Sequence, residues 1–187
     1  MDVKLSKHKS FSEFKTVNEE SFSYGCVMFF FDPNEKMLQE LMTNIDDSDL
    51  YTKEDDSSYG KETEPHVTAL YGIHNDVPDA DVKKIVEQFT TPVITVGDVS
   101  IFENEKFDVV KIEVNSDEMN TANKKLSALP FSSDYPDYKA HITLAYVKPG
   151  LGQKYVEEFE SINLQPTHIV YSKADNTKLK FNFKDEN

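Results

Sequence analysis

The sequence predicts an α+β fold of two similar lobes related by a pseudo-twofold axis. Three observations predict it. The hexapeptide HVTALY at His66–Tyr71 returns as HITLAY at His141–Tyr146, 75 positions later, each copy holding His-x-Thr in a short apolar run with Tyr five places after the His. Around each copy the chain repeats one order: strand, helix, polar loop, His-x-Thr strand, helix, strand. The 187 residues are 38% hydrophobic with 13 Phe and 9 Tyr, enough for one substantial domain or two small lobes sharing a core.

Residues 1–23 are polar with scattered Phe and predict a short N-terminal arm; residues 24–187 predict a single bilobal domain. From Tyr24, YGCVMFFF reads as a buried strand, and Asp32-Pro33 as the cap of a helix whose Met37, Leu38, Leu41, Met42 and Ile45 recur at helical spacing. Asp46 to Glu64 is acidic and polar, either a solvated loop or a lid over a substrate. The first His-x-Thr strand follows. Ala80 to Phe89 is a helix, stopped by Thr90-Thr91-Pro92, and Val93 to Phe102 a strand that closes lobe one at about residues 24–102.

Lobe two, about residues 107–187, opens with the strand Phe107 to Val114 and a helix from Ser116 to Leu129, started by Ser-Asp. A second long polar loop, PFSSDYPDYKA, feeds the second His-x-Thr strand, which ends at Pro149-Gly150. Tyr155 to Phe159 predicts a short helix, Thr167 to Tyr171 a strand, and Leu179 to Phe183 a last edge strand. A pseudo-twofold axis would bring the two His-x-Thr strands together at the lobe junction.

In a strand, alternate residues face the same way. His66 and Thr68 therefore share one face, as do His141 and Thr143, while Val67, Ala69 and Tyr71, or Ile142, Leu144 and Tyr146, take the core face. Taken singly, each His reads as a packed strand histidine and each Thr as an ordinary strand former. Two copies matched in spacing and context point instead to a working pair. Opposed imidazoles suit proton transfer near neutral pH, and threonine hydroxyls can donate to an oxygen that gains charge.

The lone Cys26 excludes an internal disulfide framework and suits a reducing cytoplasm, and the apolar run Cys26 to Phe31 is too short to span a membrane. A net charge of −14 argues against broad binding of long nucleic acid, though not against a small anion held by donors at close range. No cysteine pair or helical His-x3-His spacing predicts a metal site; His66 and His74 stand eight apart, and His8 and His168 lack Thr two places on. No metal and no cofactor are expected.

The paired motifs resemble the two-histidine (2H) phosphoesterase superfamily. The longer stretches ETEPHVTALYGIH, FENEKFDVVKIEV, DYPDYKAHITLAYVKPG and YSKADNTK resemble bacteriophage anti-CBASS nucleases within it. The resemblance implies antiparallel sheets lining a central cleft with helices outside. It implies hydrolysis of the cyclic di- and trinucleotide signals of bacterial immunity, in the infected cell's cytoplasm, without a metal. His66, Thr68, His141 and Thr143 would then be catalytic. Tyr24 matches a tyrosine of that family's pocket, or is a rim aromatic of the core. Tyr59, Tyr135 and Tyr138, in the long loops, either stack on a base or pin their loops down. A cyclic dinucleotide or trinucleotide is the one expected partner, and a monomer the expected state. Two other readings stand beside this one: a 2H enzyme acting on RNA 2′,3′-cyclic phosphate ends, and a non-catalytic sponge for cyclic nucleotides.

Overall fold

The computed structural model describes residues 24–135 and 137–185, so the N-terminal arm expected at residues 1–23, with His8, lies outside the described residues. Eight strands form one curled antiparallel sheet: β1 (Gly25–Phe30), β2 (His66–Ile73), β3 (Ile94–Glu103), β4 (Asp108–Asn115), β5 (His141–Val147), β6 (Ile162–Leu164), β7 (His168–Ser172) and β8 (Lys178–Phe181). The strand order is β6-β3-β4-β5-β2-β1-β7-β8. It reads alike from either end: the His-x-Thr strands β2 and β5 meet at the centre, flanked by β1 and β4, then by β7 and β3.

That order interleaves the two sequence halves. β3, from the stretch expected as lobe one (residues 24–102), pairs with β4 and β6. β7, from the stretch expected as lobe two (107–187), pairs with β1 and carries β8 at its outer edge. The half of the sheet built on β2 and β1 therefore takes both outer strands, β7 and β8, from the other half of the chain, and the half built on β5 and β4 takes β3 from it.

Helices α1 (Lys36–Thr43), α2 (Asp79–Val86) and α3 (Asp117–Leu126) contribute to one core on one face of the sheet. Leu38, Val82, Val86, Met119 and Leu126 are fully buried there with Val27, Val67, Ile142 and Leu144 of the central strands. Burial of each such side chain contributes about 1.5–3 kcal/mol. Ser116 caps α3 by accepting from the Met119 amide (3.2 Å). Asp32 does not cap α1; it closes a turn on the Asn34 amide (2.8 Å), and the helix begins only after Glu35. The opposite, concave face carries its own small apolar group, Cys26, Met28, Phe30 and Val170, with Tyr71 against it.

The helix expected at Tyr155–Phe159 is instead a 3-10 turn at Gly152–Tyr155 followed by extended chain. Four tertiary bonds override the local pattern. The Tyr155 hydroxyl donates to Asp49 and accepts from the Asp46 amide (3.0 Å), and Val99 and Glu157 exchange backbone bonds of 2.9 and 3.2 Å. The three-residue β6 is too short to show a period in sequence.

Both His-x-Thr strands contain a β-bulge at the same point. In β2, Val27 pairs with Leu70 but Met28 with Thr68, which leaves Ala69 as the extra residue; in β5, Val110 pairs with Ala145 but Lys111 with Thr143, which leaves Leu144 extra. The extra residue reverses the alternation beyond it. Leu70 and Ala145 join the core, and Tyr71 turns onto the concave face beside Cys26, Met28 and Phe30. Tyr146 likewise leaves the core for an aromatic group with Tyr59 and Phe107. The core positions expected for Tyr71 and Tyr146 are thus corrected: each tyrosine follows its His and Thr.

A bulge frees backbone groups that must find other partners. The Asn123 side-chain amide of α3 donates to the Ala69 carbonyl (2.8 Å), and the Glu62 amide donates to the Leu144 carbonyl (2.8 Å). Replacing Asn123 with Leu strands the Ala69 carbonyl and is expected to cost about 1–3 kcal/mol. Equilibrium urea unfolding of the variant measures this; an unchanged midpoint would show that the bulge does not depend on that amide.

Candidate active site

β2 and β5 touch at one residue pair, Val67 with Ile142, and then diverge. Antiparallel pairing at that point sets His66 across from Thr143 and His141 across from Thr68. All four side chains are half-buried and lie on the face away from the core. The structure therefore brings together the four residues the motifs single out, each imidazole facing the other strand's threonine.

The gaps beyond the contact are filled reciprocally by the two long polar loops. The loop before β2 runs along β5: Tyr51 N–H donates to Tyr146 O (2.9 Å), Tyr146 N–H to Gly60 O (2.9 Å) and Glu62 N–H to Leu144 O (2.8 Å). The loop before β5 runs along β2: Ser132 N–H donates to Gly72 O (2.9 Å), His74 N–H to Pro130 O (3.1 Å), and the Tyr138 hydroxyl to Thr68 O (2.8 Å). Gly72 makes that approach possible. Its φ is +93°, and a Cβ there would lie 1.9 Å from the Ser132 carbonyl oxygen.

The two histidines are held alike. His66 Nδ1 lies 2.8 Å from the Glu64 carbonyl and His141 Nδ1 2.9 Å from the Lys139 carbonyl, in each case two residues back. A carbonyl only accepts, so in the neutral ring the proton sits on Nδ1 and the lone pair on Nε2. Each imidazole therefore keeps Nε2 for a substrate proton.

Their surroundings differ. The His66 ring lies 5.0 Å from that of Phe30, which stacks on its other side against His168 (5.3 Å, 14°). Glu62 stands 4.0 Å from His66 Nδ1. His141 meets the edge of Phe102 (5.1 Å, 90°), and beneath Phe102 lies the buried Lys111 ammonium, 4.3 Å from the ring centroid. Lys111 donates to Ser100 Oγ (2.6 Å) and stands 3.6 Å from Glu113. Burial, with added repulsion from Lys111 and His66, pushes His141 down to about 4. It is neutral at physiological pH.

The other expected residues fall at the margins. Tyr24 leads into β1 on the rim, 6.2 Å from the Tyr71 ring and 6.0 Å from that of His74. Tyr59 is packed by Tyr51, Phe107 and Tyr146, with rings 5.1–5.4 Å apart. Tyr138 is largely buried, its hydroxyl committed to Thr68 O. Tyr59 and Tyr138 thus both pin loops to strands. Sequence reasoning missed Lys111, Phe102 and Ser100, which belong to the same face, and passed over His168, which shares it. It also missed Cys26, which lies beside Thr68 and whose thiol burial pushes up to about 12. Among the described residues no group of three or more His, Cys, Asp or Glu is disposed to hold a metal ion. No described helix is long and apolar enough to cross a membrane.

A curled antiparallel sheet with paired His-x-Thr strands at its centre is the two-histidine phosphoesterase fold. Solved structures agree on the fold. Kluyveromyces marxianus Usb1 superposes with a TM-score of 0.54 at 8% identity, over 86% of this chain and 98% of Usb1. The same protein with uridine monophosphate gives 0.53 at 6% identity, over 87% and 99%. A comparison with curated proteins finds no match. Residues 60–185, which include both His-x-Thr strands, match the family described as anti-CBASS protein Acb1, and the chain belongs to that family.

Proposed function

We propose that this protein is a metal-independent phosphodiesterase that opens the 3′–5′ linkages of cyclic di- and trinucleotide immune signals, with His66 and His141 as its acid–base pair. The observation that carries the reading is the matched tautomer control: two histidines on adjoining strands, each with Nδ1 on the carbonyl two residues back. Family membership supports a cyclic nucleotide as substrate, and a uridine monophosphate complex of Usb1 supports a nucleotide in this fold.

One imidazole Nε2 takes the proton of the ribose 2′-hydroxyl, whose oxygen attacks the adjacent phosphorus. The bond from phosphorus to the 5′-oxygen breaks, and that oxygen takes a proton from the other imidazole. The product is a 2′,3′-cyclic phosphate, and the two histidines have exchanged protonation states. Water then attacks phosphorus, giving its proton to the neutral imidazole. The bond from phosphorus to the 2′-oxygen breaks and that oxygen takes the proton of the other imidazole, which restores both histidines and leaves a 3′-phosphate. Thr68 and Thr143 donate to the non-bridging oxygens as charge builds there. Metal chemistry plays no part in this scheme, so turnover is expected to survive EDTA.

Incubation with 3′,3′-cyclic GMP–AMP in EDTA, followed by chromatography, tests the proposal. Linear product is the expected result. Cleavage of only 2′,3′-cyclic phosphate ends of RNA would establish the narrower activity, and retention of intact ligand a sponge. Activity lost to EDTA and restored by a divalent ion would overturn the metal-free scheme.

A further inference from the structure

The two halves of the site match at His, Thr, bulge and tautomer, but not at the residues paired with them: Phe30 stands opposite His66 and Glu113 opposite His141. The residue paired with Thr68 is Met28; the residue paired with Thr143 is Lys111. Met28 belongs to an apolar floor with Cys26, Phe30 and Val170. Lys111 is an ammonium held in the sheet under an aromatic ring that itself touches His141. Its side chain is 7% exposed; the ammonium donates to Ser100 Oγ (2.6 Å) and lies 3.6 Å from Glu113. Burial of a lysine is costly and pulls it toward the neutral form. A fold that could carry methionine here, as its other half does, carries a cation instead.

We propose that Lys111 is the positioning residue that breaks the symmetry of the site, making His141 the base that takes the 2′-hydroxyl proton and His66 the acid that protonates the leaving 5′-oxygen. This rests on the acid–base reading above. A positive charge beneath Phe102 disfavours a second one on His141, so its Nε2 stays a free lone pair. Glu113, paired in register with His141, would attract a proton to it, but Lys111 at 3.6 Å answers that carboxylate. Of the other groups around the pair, His66 also opposes protonation of His141, whereas the Lys139 carbonyl on Nδ1 favours it; the Lys139 ammonium acts against the charge on Lys111 instead. His66 has a different setting: Glu62 is 4.0 Å from its Nδ1, and the β1 residues beside it, Met28 and Phe30, are apolar.

The test is the pH dependence of kcat/KM for 3′,3′-cyclic GMP–AMP in wild type, K111M and K111R, with the NMR titration of His141 in the ligand-free proteins. Loss of the charge in K111M unmasks Glu113 and removes repulsion. Both changes raise His141, so the acid limb and the NMR titration should each move up by about one pH unit. K111R keeps the charge and should leave both near the wild-type position. An acid limb and titration unmoved in K111M, or moved equally in K111R, would overturn the proposal. K111Q provides the same comparison if K111M does not fold. His66→Ala and His141→Ala separate the two levels: active alanine variants would sink the acid–base reading, whereas inactive ones with an unmoved titration in K111M would sink only the role of Lys111.

Discussion

Replacing either His66 or His141 with Ala is expected to reduce turnover of a cyclic dinucleotide by about 10²–10⁴-fold, the usual cost of losing a positioned acid or base. The loss should fall on kcat more than on KM, because proton transfer is a transition-state interaction. Stability should change little. Both rings lie outside the helix-backed core, and their polar contacts run to carbonyls of loop residues, Glu64 and Lys139. Single-turnover rates and thermal melts of the two variants check both halves of the statement. Near-wild-type turnover in both would refute the two-histidine mechanism. Unfolding of both would mean that the rings serve packing after all.

A 2′-deoxyribose at the scissile linkage is expected to stop cleavage while binding largely survives. The substitution removes the nucleophile and leaves base, phosphate and leaving oxygen in place. It follows from giving the two imidazoles the only proton transfers, one from the 2′-hydroxyl and one to the 5′-oxygen. The phosphate must then stay on the 3′ side, as a 2′,3′-cyclic phosphate or the monophosphate formed by opening it. Mass spectrometry of products from the ribose and deoxyribose substrates, with calorimetric binding of both, measures this. A 5′-phosphate end, or efficient cleavage of the deoxy linkage, would require the histidines to activate water directly.

The duplicated His-x-Thr was legible because both residues lie before the bulge, where strict alternation holds. The tyrosine five places on was visible, but its face was not. Ala69 and Leu144 read as ordinary strand residues, and what makes each the extra one is tertiary: Asn123 from α3 at one carbonyl and the Glu62 amide at the other. Lys111 was hidden differently. In FDVVKIEV it alternates with Ile112 and Glu113 like any solvent-facing lysine. Only the curl of the sheet, which folds Phe102 over it, turns an outward position into the floor of the site. The order of elements along the chain was readable; their exchange across the sheet was not, because nothing local distinguishes β3 paired with β4 from β3 paired with β1.

That exchange has a consequence for the chain as a material. It is domain swapping carried out within one molecule. A chain ending at residue 102 would hold β3 without β4 and β6, and β1 without β7. A chain beginning at residue 107 would hold β4 without β3, and β7 without β1. Each fragment thus keeps several open ladders, the surface on which chains aggregate. The protein looks like two copies of one motif, yet neither copy owns the strands that would close it, so proteolysis between them would yield sticky remnants rather than two small domains.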